Sequence, residues 1–144
     1  MYMSEYEKEI NEAMAYLSIN DEVTVFSGRQ KENLLSHLQS QFVIENPRVW
    51  WLSLKYQATA YDFDGDYKQI TQFFDKNEKV WFIVEDDECL LYQIKVSNII
   101  DIIGECSCFE YYLISENEKR FLCETDHGVF LYVDREKNKN NFDK

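Results

Sequence analysis

The stretch FLCETDHGVFLYV, residues 121–133, sets two apolar runs on either side of Thr-Asp-His-Gly. It also gathers Cys123, Glu124, Asp126 and His127, side-chain types that bind metals and perform covalent chemistry. As a hairpin it commits the end of the chain to an antiparallel sheet. Asp bonds its own nearby backbone and Gly accepts positive φ, so the central residues suit a turn. If the first run alternates, Phe121 and Cys123 share one face while Leu122 and Glu124 share the other. Cys123 is then a small buried thiol beside an aromatic ring.

Two sharper readings compete with the hairpin. Cys106, Cys108, Cys123 and His127 make a Cys₃His set that zinc accepts, yet no Cys-x-x-Cys pair is present. A Cys–His nucleophilic pair has only His37 and His127 to draw on, and adjacency on a turn supplies no orienting third group. The hairpin is therefore preferred. A small metal-dependent enzyme or zinc-stabilised domain using Cys123, Glu124 and His127 stands as the rival, and the preferred reading calls for no cofactor.

Working outward, the neighbouring segments also read as strands. VWFIV at 80–84 is apolar throughout, as in a strand covered on both faces. LLYQIKV at 90–96 alternates, with Leu90, Tyr92, Ile94 and Val96 on one side. FEYYLI at 109–114, ATAYDF at 58–63 and VTVF at 23–26 are further candidates. Helices are expected at Met3 to Ile19, where Tyr6, Ile10, Met14 and Leu17 form a stripe, and from Ser27 to Phe42. The second of these should bury Leu34, Leu35, Leu38 and Phe42. Asn46-Pro47 reads as a third helix start, and Ser97 as the cap of a short helix ended by Gly104. The expectation is an α+β fold in one domain, residues 1–134, followed by a polar tail at 135–144. The N-terminal helices should pack on one face of a mostly antiparallel sheet of about five to six strands.

The chain has 144 residues, 45% of them hydrophobic, enough to bury a core without metal or disulfide. Its N-terminus lacks the apolar stretch of a signal peptide, and no apolar run is long enough to span a bilayer. A cytoplasmic location with reduced thiols is expected. Lys and Arg total 15 against 27 Asp and Glu, a net charge of −12. That field repels phosphate backbones and anionic lipid, so neither nucleic acid nor membrane is an expected partner. It attracts a basic protein.

The carboxylates fall in two clusters. Glu85, Asp86, Asp87 and Glu88 occupy the turn between two strands, and Asp62, Asp64 and Asp66 form a second acidic turn. Counted from Asp62, the latter fails the calcium-loop pattern, with Tyr67 at position six and Phe73 at position twelve. Each cluster reads first as a solvated turn. If both lie at one edge of the sheet, they form a docking surface for a cationic partner. Trp50 and Trp51 read mainly as core, with one of them a candidate interface anchor.

PRVWW at 47–51, VWFIVEDD at 80–87, IIGECSCFEYYLI at 102–114 and RFLCETDHGVFL at 120–131 together resemble a family of small uncharacterised bacterial proteins. That family's pattern pairs an F-E-Y-Y strand with a following L-C-E-x-x-H segment, and it is similar to immunity proteins, or antitoxins, of polymorphic toxins of the LXG type. The resemblance implies a binding protein without catalytic residues, whose partner is a cognate toxin. Glu124 and His127 fall on recurrent positions of the pattern. Joined to the acidity, it implies an immunity protein that blocks a basic toxin domain such as a nuclease. Glu85 to Glu88 would steer the encounter and Trp50 or Trp51 would anchor it.

Overall fold

The computed structural model describes residues 3–125 and 127–137. Helix α1, Glu5–Tyr16, starts where Ser4 Oγ accepts the Glu7 N–H at 3.1 Å. Strand β1, Thr24–Phe26, leads into α2, Gly28–Phe42. After β2, Thr59–Asp62, come β3, Lys79–Val84, and β4, Leu90–Lys95. Helix α3, Val96–Glu105, precedes β5, Tyr111–Ser115, β6, Arg120–Glu124, and β7, Val129–Asp134. Short 3-10 segments occupy Asn20–Glu22, Trp50–Ser53 and Tyr67–Gln72.

The seven strands form one antiparallel sheet in the order β1-β4-β3-β5-β6-β7-β2. The expected α+β class holds, with a sheet slightly larger than the five to six strands anticipated. The opening stretch is the β6–β7 hairpin, with Phe121 opposite Val133 and Cys123 opposite Leu131. Phe121 and Cys123 do share a face, and Leu122 lies on the other.

Alternation splits the core in two. Val80, Phe82, Tyr92, Leu113 and Leu122 face one way and pack against Ile10 and Met14 of α1, Ile99 and Ile102 of α3, and Ile70. Ile83, Leu91, Tyr112, Ile114, Phe121 and Cys123 face the other way, against Leu38 and Phe42 of α2 and Trp50. The helices therefore cover both faces, where the sequence led us to expect one. The central strands are apolar on both sides, and only a helix on each side removes both surfaces from water.

Four local expectations are corrected. The helix expected after Asn46-Pro47 is only the four-residue 3-10 segment Trp50–Ser53. Ile44 N–H bonds Ser53 O and Lys55 N–H bonds Phe42 O, both at 2.7 Å, which folds the chain back on itself. Asn46 accepts from Gln39 Nε2 at 3.2 Å instead of capping a helix. Helix α3 begins at Val96, and Gly104 lies within it rather than ending it. Ser27 holds the N-cap position of α2 but makes no side-chain capping bond. Arg135, assigned to the polar tail, is built into the fold: it donates to Tyr56 Oη at 3.1 Å, Gln41 Oε1 at 2.9 Å and Glu118 O at 3.0 Å. The rest of that tail from 138 lies outside the described residues. Among those described, no helix is long and apolar enough to cross a membrane.

Candidate functional site

Strand register places both acidic turns at one end of the sheet. Val84 pairs with Leu90 and Tyr111, Glu124 with Phe130, and Val129 with Asp62. Residues 62–66, 85–88, 110 and 124 therefore all emerge at the same end. The two turns are separated by four strand spacings, about 19 Å at the usual inter-strand distance. Asp62, Asp64, Asp66, Glu85, Asp86, Asp87, Glu88, Glu110 and Glu124 gather there. Among the described residues, the ion pairs lie elsewhere. Arg120–Glu78, Lys119–Glu136, Lys95–Glu22 and His37–Glu118 sit at the opposite end, and Lys8–Glu5 is on α1. Cations do approach: Lys68 acts on Asp66, Arg48 on Glu85 and Lys31 on Cys89.

These carboxylates do different jobs. Asp62 Oδ1 accepts the Asp64 N–H at 3.1 Å, closing a turn in which Asp64 has φ +54° and Gly65 φ +72°. Asp66 caps the 3-10 segment Tyr67–Gln72, accepting the Lys68 N–H at 3.1 Å and Gln69 Nε2 at 3.0 Å. These bonds, that from Gln69 first, hold its carboxyl below the ordinary range. Asp87 and Glu88 are exposed and Asp86 is half-buried. Glu85 turns inward. Its Oε1 accepts the Tyr112 hydroxyl at 2.9 Å, and the Cys89 thiol lies 3.7 Å away. Burial raises the pKa of Glu85 despite those bonds, and burial beside Glu85 lifts the Cys89 thiol to about 12.

The tryptophans divide. Trp50 is 4% exposed, stacks on Tyr112 at 4.8 Å and 14°, and donates its N–H to Tyr112 Oη at 3.0 Å. It has no surface to offer a partner. Trp51 is half-buried against the α2 side of the core, next to Leu52, which is 53% exposed.

The rival constellation does not assemble. Cys123 is fully buried on the α2 face, its thiol pushed up by burial. Glu124 emerges on the α1 side and bonds the Tyr111 hydroxyl at 2.8 Å. Cys106 and Cys108 also border that side, so the sheet separates them from Cys123. His127 is exposed in the turn, its N–H directed at Thr125 Oγ1 at 3.4 Å, and Asp126 lies outside the described residues. Among the described residues, no three His, Cys, Asp or Glu side chains converge as metal ligands.

A cleft of about 740 Å³ opens beside Glu124, between α1, the C-terminal end of α3, the 106–110 segment, the turn at Gly65, and Thr125 and Gly128. Tyr6, Tyr67, Phe109 and Tyr111 line it with Glu110 and Glu124. Burial raises the pKa of Glu124 even though Tyr111 donates to it. Three of the chain's four glycines, Gly65, Gly104 and Gly128, border this space. Gly65 N–H bonds Gly128 O at 3.1 Å, which clamps the two turns together. A Cβ at Gly65 would lie 3.4 Å from Glu124 Oε2, and one at Gly104 would meet Tyr67 Oη at 2.8 Å.

One sequence profile matches residues 4–142, nearly the whole described fold. The chain belongs to a family of unknown function (DUF6756). No curated protein matches it. In this DUF6756 chain, sequence reasoning found Glu124 but not its setting, and it missed Tyr67, Gly104, Phe109, Glu110 and Tyr111 as a group. The F-E-Y-Y run was the available signal. Its alternation sends Tyr111 to Glu124 on one face and Tyr112 to Glu85 on the other.

Proposed function

We propose that this chain is a binding protein that docks a basic partner domain through the carboxylate-rich end of its sheet, in the manner of an immunity protein covering a cognate toxin. Charge segregation carries the reading. Ion pairs neutralise the far end, whereas the carboxylates of the near end make none among the described residues. A surface of one sign accelerates encounter with the opposite sign, and its reach is about 8 Å at physiological salt. Asp62, Asp64, Asp86, Asp87 and Glu88 would do the steering. Glu85, turned toward Tyr112, contributes less than its place in the turn suggested. Trp51 beside exposed Leu52 is the candidate anchor.

Under this reading the chain performs no reaction. Its carboxylates stand where the anionic substrate of a nuclease-like domain would stand. The partner's identity as a toxin rests on the resemblance to immunity proteins, which also implies the cytoplasm, where the four free cysteines would stay reduced. The test is co-expression with the protein encoded by the adjacent gene. That protein should arrest growth alone and be silenced by the chain. Neutralising Asp62, Asp64, Asp86, Asp87 and Glu88 together should abolish protection. Protection that survives this change would overturn the carboxylate mechanism, and an adjacent product without toxicity would overturn the immunity role.

A further inference from the structure

We propose that the cleft beside Glu124 is a receptor for one organic cation, a guanidinium or ammonium head on a short carbon stem. Four aromatic side chains, Tyr6, Tyr67, Phe109 and Tyr111, line the cleft, and aromatic rings attract cations over their faces. Glu110 and Glu124 add carboxylates, while no Lys, Arg or His is among the described lining residues. The C-terminal end of α3 opens onto the same space and carries no basic residue in its last turn, so its partial negative charge is unopposed. Glu9 and Glu105 act on Cys106 at the rim, and Glu9 Oε1 accepts the Ser107 N–H at 2.8 Å. The carboxylates of Glu110 and Glu124 in the wall are thus joined by those of Glu9 and Glu105 at the rim.

Other occupants fit less well. An anion would face those carboxylates. A neutral apolar molecule would cover Glu124, which already accepts the Tyr111 hydroxyl, without supplying a counter-charge, and that is costly for an ionised carboxylate. A metal ion would want three or more converging ligands, and the described residues offer no such group. Gly104 sets how closely one wall of the cleft packs. Its φ is not in the left-handed region, so the backbone does not require glycine there. What it does is admit the Tyr67 hydroxyl against α3.

This inference does not rest on the docking reading, because its probe is a small cation and its readout needs no partner. The experiment titrates ¹⁵N-labelled protein with n-butylguanidinium and n-butylammonium, and with n-butanol and butyrate as neutral and anionic controls. The cations should give saturable amide shifts centred on Phe109, Tyr111 and Glu124, and the controls none. Glu124→Gln should weaken cation binding about tenfold, since it removes the charge and keeps the shape. Phe109→Leu should weaken it by a smaller factor. A third arm uses acetyl-Gly-Arg-Gly-amide. Tighter binding of the peptide than of butylguanidinium assigns the cation to a protein side chain, and the reverse assigns it to a small molecule; either supports the site. Equal shifts with n-butanol, absence of saturable shifts, or undiminished binding in Glu124→Gln would overturn it. The comparison of cations with n-butanol on unmodified protein needs no variant to fold.

Discussion

Replacing Tyr112 with Phe removes a single oxygen that serves two groups and leaves the ring in place. Tyr112 Oη donates to Glu85 Oε1 at 2.9 Å and accepts the Trp50 N–H at 3.0 Å. The ring stack on Trp50, at 4.8 Å, survives the change. Leaving the buried Trp50 amide unsatisfied costs about 1–3 kcal/mol. Losing the bond to ionised Glu85 adds about 1 kcal/mol, a figure discounted because that carboxylate is half exposed. The sum is about 2–4 kcal/mol near pH 7, or a drop in Tm of roughly 4–16 °C for a chain of this size. The pH dependence has a definite sign. Donation from Tyr112 lowers the Glu85 pKa, against the upward pull of burial. Its removal pushes that pKa further up, so the penalty is largest above the Glu85 titration and shrinks once Glu85 is protonated. Urea unfolding followed by tryptophan fluorescence, at about pH 7 and about pH 5, measures both parts as midpoint shifts at unchanged m. A loss below about 1 kcal/mol near pH 7, or one that grows toward acid, would refute the reasoning.

Three further outcomes are expected. Gly104→Ala gains roughly 0.5–1 kcal/mol of helix propensity but pushes the Tyr67 hydroxyl aside, so thermal stability should stay within about 1 kcal/mol while the signals of Tyr67 and the cleft shift in NMR spectra. Glu85 and Glu124 both have pKa values raised by burial. Their stabilising effect is complete below the usual Glu pKa and is lost as pH rises through their folded-state values. Asp66, with a lowered pKa, acts in the opposite sense but at lower pH. The Glu85→Gln, Glu124→Gln double variant should therefore lose less stability to denaturant than the unmodified chain as pH rises above the usual Glu range. Among the thiols, exposed Cys108 should react promptly with a disulfide reagent. Half-buried Cys106, lifted to about 11, and Cys89 should lag, and Cys123 should react only on unfolding. Prompt modification of Cys123 would reopen its role as a nucleophile.

Where structure follows from neighbouring residues, the sequence was readable. The alternation of Leu90, Tyr92 and Ile94, and the Thr-Asp-His-Gly turn between two apolar runs, specify their hairpins locally. The stripe on α1 is equally local. Which sheet face a helix covers is not, because periodicity defines an apolar stripe without saying what meets it. Helix α2 therefore went to the face opposite α1. Asn46-Pro47 carries a helix-start signal that long-range contacts override. Trp50 is drawn to Tyr112, and Val43 bridges Leu54, so only a 3-10 turn remains. The acidic clusters were legible as composition, and their meeting at one end depends on β2 pairing with β7 across the chain. The inward turn of Glu85 and the cleft around Glu124 rest on tyrosines 27 and 13 residues away, beyond the reach of local pattern.

Stopped-flow association with the protein encoded by the adjacent gene tests the docking surface most directly. Its rate constant for the unmodified chain should fall about tenfold or more between 50 and 500 mM salt. With Asp62, Asp64, Asp86, Asp87 and Glu88 neutralised together, the rate at low salt should already be as slow as that high-salt value. A rate indifferent to salt and to those five substitutions would contradict the account.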